Sequence, residues 1–385
     1  AKASKEITRS AVLPQITGAA SRTTTQQPSG GGTSSGMTSA SSAKRKPPTV
    51  YEYNISGQQL LFDGFKTSYD LSTAERNIRA SQYNYDVTSS NVRVGLRTAY
   101  ANLLIAQELL TVSEEIEARR RQNLALVKLR YEGGREHKGS LATSEADLAQ
   151  AVYDVDQARR AIYAAQRQLT KELGRRKFVP IKATGDLEPK STDSQMPDFE
   201  KLAETNPLLR QLIEKKEAAM FGLKSAYASF FPQIYTLGSL GNTNTTWPPD
   251  KNQWSAGASL TLPIFDGGNL IASASKAKAT LGQNEADERS GRDSVIFTLS
   301  DTWIKLEDAI ENVSVQRQYL EAAKERARIS EAEYAIGLLI YDNWIIIENN
   351  LVVAKRSFLS AELNALTAEA NWIQAKGGTL DYDEK

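Results

Sequence analysis

Side chains that could carry acid/base or metal chemistry are few in this sequence, and their spacing does not suit it. His137 is the only histidine, and a metal site needs further ligands at defined spacings. Neighbouring carboxylates, such as Glu114 with Glu115 and Glu331 with Glu333, fall among arginines and lysines, as on a solvated helix face. Cysteine is absent, which excludes thiolate catalysis and disulfides. We therefore expect a protein that is not an enzyme and holds no cofactor or metal.

The overall charge and the absence of one motif exclude two further classes of protein. The 385 residues include 47 basic and 46 acidic side chains, for a net charge of +1. This balance offers no basic field of the size that nucleic acids attract, so we expect no nucleic-acid partner. The sequence also contains no Gly-x-x-x-x-Gly-Lys-Ser/Thr phosphate loop. We therefore do not expect this chain to draw energy from a nucleoside triphosphate by itself.

The stretch from Trp254 to Gly268 alternates residue by residue and then ends in a turn. Small or polar residues occupy every second position, beginning at Ser255. Strands of about 9 to 11 residues cross a bilayer when tilted, with lipid-facing and water-facing side chains in alternation. The stretch therefore predicts a membrane-spanning strand. Its predicted lipid-facing residues are Trp254, Ala256, Ala258, Leu260, Leu262 and Ile264.

The same arrangement occurs twice in the chain, 203 residues apart. Phe265-Asp266-Gly267 corresponds to Phe62-Asp63-Gly64. The offset then continues without a gap; it pairs Leu96 with Leu299, Leu103 with Leu306, Tyr131 with Tyr334, Gly134 with Gly337 and Gly174 with Gly377. One offset held for more than a hundred residues indicates an internal duplication. In the first copy, the predicted lipid-facing strand residues are Tyr51, Tyr53 and Ile55.

Long helices follow both strand pairs. The first is predicted from Asp70 to Tyr131. Its second copy has an apolar residue at every seventh position, namely Leu299, Leu306, Val313, Leu320, Ala327 and Tyr334, with Ile296, Trp303 and Ile310 as a second row. Such heptads predict a coiled-coil seam, and an unbroken helix from 265 to 334 would be about 100 Å long. An isolated dimeric coiled coil is the alternative, but it leaves the alternating strands unexplained.

The predicted segments follow from these elements. They are the end of an ascending helix (1–12), a β-hairpin with a long external loop (13–62), a helical hairpin (63–174), a connector (175–205), an ascending helix (206–230), a second β-hairpin (231–265), a second helical hairpin (266–377) and a tail (378–385). The Gly/Ser/Thr-rich loop spans Gln26–Lys46. The first residues lack a signal-peptide pattern, and the ascending helix is shorter in the first copy than in the second. We therefore expect a processed or truncated chain.

Four strands cannot close a membrane barrel. An open edge would leave unpaired backbone groups in lipid, and bacterial barrels start at eight strands. Two copies would give eight strands around a filled interior, whereas three would give twelve strands around a lumen. The small polar residues on the predicted inner face favour the twelve-stranded tube. The predicted fold is therefore α+β, a membrane β-barrel built by several chains and joined to long helices.

The order of short motifs resembles that of the outer-membrane efflux proteins of the TolC family. Each repeat has Leu/Phe-Pro-Gln-Ile at a strand start, Phe-Asp-Gly before the long helix and Tyr-x-x-Gly at the helix end. The resemblance covers nearly the whole chain. It implies a homotrimer whose twelve-stranded barrel continues as a coiled-coil tunnel into the periplasm. It also implies a passive exit duct in the bacterial outer membrane that works with a periplasmic adaptor and an inner-membrane transporter.

The helix ends hold the predicted docking and gating residues. Gly134 and Gly337 end the helices, and the second glycine is followed by the apolar residues Leu338, Leu339 and Ile340. These residues either tuck under the hairpin or form a docking surface. The resemblance implies adaptor contacts at this position and a pore constriction just beyond it, with Asp342 and Asn343 as candidates. Some family members have acidic residues where this chain has Asn343 and Ile346.

Two other functions stay open at this point. The same duct could serve type I protein secretion, since both systems use the same tunnel. A periplasmic coiled-coil adaptor would need one hairpin flanked by lipoyl-like and small barrel segments. This sequence instead predicts two hairpins, each after a pair of amphipathic strands, which favours the duct.

Overall fold

The computed structural model describes residues 2–25, 49–185 and 195–380. The predicted loop Gln26–Lys46 and the last five residues of the predicted tail lie outside the described residues. The described elements are, in order, α1 (Lys2–Ser10), β1 (Gln15–Thr24), β2 (Thr49–Phe62), α2 (Lys66–Glu132), α3 (Lys138–Glu172), α4 (Phe199–Thr205), α5 (Pro207–Ala228), β3 (Gln233–Asn244), β4 (Lys251–Thr261), α6 (Asn269–Ile336) and α7 (Tyr341–Ala375). The predicted α+β class is confirmed.

The chain forms two compact units. The first comprises the residues up to Ser81 together with Gln211–Glu288, and the second comprises Gln82–Arg210 and the residues from Arg289 onward. The helices α2 and α6 each begin in the first unit and end in the second. None of the described helices contains a stretch both long and apolar enough to span a bilayer.

The first unit contains one antiparallel sheet with the strand order β1-β2-β3-β4. Ile55 on β2 lies opposite Gly18 and Leu240, and Leu240 in turn lies opposite Trp254. Directly opposite residues of an antiparallel pair project from the same face. The register therefore places the apolar positions of β2 and β4, which the sequence pattern identified separately, on one face of one sheet. We call this surface the apolar face.

The last strand ends earlier than the sequence pattern predicts. β4 stops at Thr261, so Leu262 and Ile264 are not strand residues and that part of the prediction is wrong. Pro263 is the physical reason, because proline has no backbone N–H for the ladder and restricts the residue before it. At the equivalent position of the first repeat, Leu60, the strand β2 passes through a bulge and continues to Phe62.

The long helices begin in the same way in both repeats. The side chain of Asp63 accepts a hydrogen bond from the backbone N–H of Thr67 at 2.8 Å, and Asp266 accepts one from Leu270 at 2.7 Å. These carboxylates satisfy N–H groups that have no partner within the first helical turn. The helix α5 also begins with a side-chain cap. Asn206 caps Leu208 at 2.8 Å and Pro207 is the first helical residue.

The second unit contains two helical hairpins, which confirm the duplication. α3 and α7 both have 35 residues, and their first residues, Lys138 and Tyr341, are 203 positions apart. All six residues of the predicted heptad row on α6 are buried. In the second row Trp303 is buried against Trp372, with ring centroids 5.2 Å apart, whereas Ile296 and Ile310 are half-buried.

The connector between the repeats is anchored to the first hairpin. Ala183 packs into a cluster with Leu103 and Leu169, and Ile181 lies against it. The side-chain amide of Gln107 exchanges two hydrogen bonds with the backbone of Ala183, at 2.9 and 3.0 Å. The predicted connector also ends in a short helix, α4, which the sequence pattern did not separate from it.

Candidate functional site

The two hairpin ends lie in the second unit and share a backbone conformation. Gly134 and Gly337, one after each long helix, have φ angles of 69° and 85°. This left-handed region favours glycine because a Cβ atom would be strained there. We call the turn 133–137 the first tip and the turn 337–340 the second tip.

The second tip is built on a buried aromatic cluster. The cluster is almost fully buried and contains Tyr334, Tyr341 and Trp344 together with Val127 of α2. The rings of Tyr334 and Trp344 are stacked, with their centroids 4.1 Å apart. Among the three apolar residues predicted for docking, only Leu339 packs against this cluster.

The other two predicted docking residues of the second tip point away from the hairpin. Leu338 is 76% exposed and Ile340 is 64% exposed. Each of the two alternatives predicted for this tip therefore applies to part of it. Leu339 packs under the hairpin, whereas Leu338 and Ile340 form an exposed apolar surface.

Residues near the first tip hold the aromatic cluster of the second. The guanidinium of Arg130 donates a hydrogen bond to the backbone carbonyl of Tyr334 at 2.6 Å and lies 4.5 Å from the centroid of its ring. The Tyr334 hydroxyl donates to the carboxylate of Glu136 at 3.0 Å. Arg130 and Glu136 could not be identified from the sequence pattern, because their partner Tyr334 lies about 200 positions away.

Burial and these contacts change the protonation of the tip residues. Burial, and then the hydrogen bond to Glu136, raise the pKa of Tyr334 far above its usual range. Burial and the nearby carboxylate of Asp147 raise the pKa of Tyr341 to about 12. Burial opposes ionisation of Glu136, but hydrogen bonds from Ser140 and Tyr334 outweigh it and lower the pKa of this carboxyl. At neutral pH, Glu136 is therefore charged and both tyrosines are neutral.

His137 is exposed and caps α3. Its Nδ1 accepts a hydrogen bond from the backbone N–H of Ser140 at 3.2 Å. The equivalent residue of the second tip is Ile340, which makes no side-chain cap. The predicted constriction candidates, Asp342 and Asn343, are both exposed on the first turn of α7, directly after Tyr341.

A buried ion pair joins α2 to α7 farther from the tips. Arg119 Nε and Nη2 contact the two carboxylate oxygens of Glu348 at 2.6 and 2.7 Å, and Glu348 is 2% exposed. This hydrogen-bonded pairing raises the pKa of Arg119. A sequence signal for it existed. Glu348 follows Tyr341 and Trp344 and precedes Leu351 at helical spacing, so it occupies a position of the buried face.

The sheet of the first unit carries the other predicted site. On the apolar face Tyr53, Ile55, Trp254 and Leu260 are exposed, as are Ala256 and Ala258, whereas Tyr51 is half-buried beside Trp247. The opposite face is polar. Ser239 and Ser255 are hydrogen-bonded there at 2.9 Å, and Gln253 donates to Glu52 at 3.1 Å. The sheet therefore has an exposed apolar face on one side and a polar face on the other.

An amphipathic sheet combined with repeated long helical hairpins defines a class of outer-membrane proteins. The chain belongs to the family described as outer membrane efflux protein, whose sequence profile it matches over residues 1–175 and 199–378. The resemblance drawn from the motifs is thereby confirmed, and family membership locates the chain in the bacterial outer membrane.

Individual relatives are distant in sequence. The chain is 24% identical to the outer membrane efflux protein BepC of Brucella suis biovar 1 over 274 residues, which cover 69% of this chain and 59% of BepC. It is 23% identical to the alkaline protease secretion protein AprF of Pseudomonas aeruginosa, over 62% of this chain and 51% of AprF. The chain thus spans little more than half the length of these relatives.

Solved structures show the same fold. The crystal structure of the open state of the Neisseria gonorrhoeae MtrE outer membrane channel matches with a TM-score of 0.83 at 20% sequence identity, covering 99% of this chain and 84% of MtrE. The likeness extends over both repeats and therefore includes the strands and the helical hairpins.

Proposed function

We propose that this chain is the passive outer-membrane exit duct of a tripartite efflux system. The single observation that carries the proposal is the register of the sheet, which gives one apolar face and one polar face across four strands. Such a surface suits lipid on one side and a water-filled lumen on the other. The chain performs no reaction in this proposal. Substrates pass through it from the periplasm to the exterior.

The duct is assembled from three chains. β1 and β4 are the edges of the sheet, and unpaired edge groups cost several kcal/mol each in lipid. Ile264 and Phe265, which follow the edge strand β4, are 92% and 89% exposed, and apolar surface of this kind marks a contact. A trimer pairs the edges into twelve strands and covers these residues. The mass of the detergent-solubilised protein tests this assembly, and a monodisperse monomer in detergent-free buffer would contradict it.

Two substitutions on neighbouring residues of β4 test the faces of the sheet. Leu260→Arg, on the apolar face, is expected to impair membrane assembly, because a lipid-facing arginine costs about 2 to 4 kcal/mol at the bilayer midplane and less towards the interfaces. Ser259→Arg, on the polar face, is expected to assemble and to change single-channel conductance in planar bilayers. Equal behaviour of the two variants would contradict the assigned faces.

The partners bind at the tips in this proposal. Leu338 and Ile340 are the exposed apolar residues of the second tip, and a periplasmic adaptor that links the duct to an inner-membrane transporter covers them. Site-specific crosslinking from these two positions to the adaptor tests this contact. The narrowest ring lies just beyond the tip. Asp342→Ala is expected to raise conductance more than Asn343→Ala, because only Asp342 carries a charge.

Protein secretion is the second candidate function. The similarity to AprF, a protein named for alkaline protease secretion, favours it. The neighbouring genes separate the two candidates. A proton-driven exporter gene beside this one would support efflux of small solutes, and a transport ATPase gene beside a large secreted protein would support secretion. A periplasmic adaptor is the less favoured class, because the four-stranded sheet has no role in it.

A further inference from the structure

One charged residue interrupts the apolar face. Arg22 on β1 lies directly opposite Tyr51 on β2 and so projects from the same face as Tyr53, Ile55 and Trp254. On the described strands, all the remaining residues of the apolar face are uncharged. An arginine among lipid-facing residues needs a local reason, since it is costly at the bilayer midplane and nearly free of cost only near the interfaces.

The register gives the level of Arg22 on the sheet. Gly18, four residues earlier on β1, pairs with Ile55 in the row that includes Trp254. At about 3.4 Å per residue, Arg22 lies roughly 14 Å from that row along the strand. Its own row includes Asn244, and the next row towards the strand end pairs Thr24 with Thr49. The apolar face becomes polar at this end of the sheet, which is typical of a lipid-facing surface at the depth of the lipid headgroups.

This end of the sheet faces the outside of the cell if the chain spans the outer membrane as proposed. Residues 26–48 connect β1 to β2 at this end, and the long connections of bacterial barrels are extracellular whereas the opposite turns are short. Arg22 is therefore at the level of the outer leaflet headgroups.

Aromatic rings hold the guanidinium of Arg22 in place. Its Cζ atom lies 5.7 Å from the centroid of the Tyr51 ring, and the Tyr51 ring meets the ring of Trp247 edge to face, also at 5.7 Å. Trp247 is 70% exposed. Tyrosine and tryptophan are the residues of membrane interfaces. A guanidinium in cation–π contact with an aromatic ring keeps its N–H groups free for two parallel hydrogen bonds to a phosphate.

Nearby carboxylates do not neutralise Arg22. Glu52 projects from the opposite face, where it accepts hydrogen bonds from Asn54 and Gln253 at 3.2 and 3.1 Å. Asp250 accepts one from Asn244. Within the described residues no salt bridge to Arg22 is formed, and residues 26–48 include no aspartate or glutamate. The cation is thus available to an anion from outside the chain.

We infer that Arg22, Tyr51 and Trp247 form a binding site for the phosphate group of an outer-leaflet lipid. The aromatic rings contact the acyl and glycerol part of the lipid, and Arg22 binds the phosphate oxygens. The inference rests on the proposed function for two assignments, that of the apolar face to lipid and that of this end of the sheet to the outer leaflet.

A lipid titration of the purified protein in detergent tests the site. The probe is phosphatidic acid, and diacylglycerol with the same acyl chains is the reference that lacks only the phosphate. Arg22→Gln is expected to weaken phosphatidic acid binding about five-fold, since one cation near an anionic surface contributes about 1 kcal/mol. Binding of diacylglycerol should not change. Arg22→Lys should retain part of the preference, because the charge remains but the planar guanidinium that can donate two parallel hydrogen bonds is lost.

Lys251→Gln is the matched control. Lys251 also lies at the outer end of the sheet, but it pairs with Thr243 on the polar face, so its loss should leave phosphatidic acid binding as in the wild type. Equal weakening by both substitutions, or no preference of the wild type for phosphatidic acid, would overturn the inference. Displacement of the lipid by equimolar inorganic phosphate would overturn the lipid as the occupant.

The conductance of the same preparations separates this inference from the proposed duct. A wild-type protein that conducts, with unchanged phosphatidic acid binding in Arg22→Gln, would reject the lipid site and keep the duct. A wild-type protein that binds the lipid through Arg22 and does not conduct would reject the duct and keep the site.

Discussion

The two tips share a backbone conformation but differ in which side chains they expose. Each follows a helix of 67 or 68 residues, contains a left-handed glycine and leads into a helix of 35 residues. Tyr131 at the end of the first long helix is 38% exposed, whereas the equivalent Tyr334 is fully buried. Duplication therefore preserved the hairpin and allowed its side chains to diverge. The first hairpin supports the second, and the second exposes apolar residues.

The divergence is visible position by position. Glu136 of the first tip, which binds Tyr334, corresponds to Leu339, and His137, which caps α3, corresponds to the uncapped Ile340. A capping side chain contributes about 1 kcal/mol. Ile340 makes no such capping hydrogen bond, so α7 lacks this stabilisation and an apolar side chain is exposed instead. This arrangement is expected where a partner protein covers the residue.

The largest expected effect concerns this exposed surface. The double substitution Leu338→Asp and Ile340→Asp is expected to abolish transport in cells, because an apolar interface cannot accept two unpaired carboxylates. The melting temperature should change little, since both side chains are exposed. The matched control is Arg135→Asp with His137→Asp at the equivalent positions of the first tip, which should retain more transport. Equal transport in the two double variants would remove the functional difference between the tips.

The second effect concerns the buried aromatic cluster. Tyr334→Ala is expected to lower stability by roughly 3 to 5 kcal/mol, the usual range for a large buried aromatic residue. Tyr131→Ala, 203 positions earlier, should cost only about 0.5 kcal/mol, as for other surface substitutions. Thermal melting followed by helical circular dichroism compares the two variants. Similar losses would mean that Tyr131 is buried in the assembled protein.

The sequence predicted the repeated parts of this molecule better than the parts that differ. The offset of 203 residues and the heptads from Leu299 to Tyr334 gave the hairpins, because periodicity reports which helix face is buried. The early end of β4 was missed, since the alternation of side chains continues through Pro263 even though the hydrogen-bonded ladder does not.

The contacts between hairpins could not be predicted in the same way. Arg130 and Glu136 bind Tyr334 across a long sequence separation, and no periodic pattern reports such a pair. Glu348 is different. Its place between Trp344 and Leu351 on the buried helix face could have identified it as a buried charge that needs a partner.

The third effect tests what the two tips have in common. Gly134→Ala and Gly337→Ala should each lower stability by about 1 to 2 kcal/mol, because both residues have left-handed φ angles. Neither added Cβ would meet an atom closer than 3.8 Å, so strain alone sets the cost. Gly133→Ala is the control, since Gly133 does not have a positive φ. Unequal costs at Gly134 and Gly337 would show that the backbones have diverged as well.

The smallest effect tests whether the first tip stabilises the second through charge. The pKa of Glu136 is lowered in the folded protein by its hydrogen bonds to Ser140 and Tyr334, which outweigh burial. A carboxyl with a lowered pKa stabilises the fold above its unfolded pKa of about 4.3, and the contribution is lost as the pH falls through the folded value. Glu136→Gln should therefore lower the melting temperature at pH 7, by an amount equivalent to about 1 kcal/mol or less. The difference from the wild type should shrink as the pH falls below about 4. Glu132→Gln, which removes an exposed carboxylate at the end of α2, is the matched control and should leave the melting temperature at pH 7 nearly unchanged. Glu136→Gln could instead lower the melting temperature equally at pH 7 and below about pH 4. In that case the hydrogen bonds and packing of Glu136, rather than its charge, would stabilise the contact between the two tips.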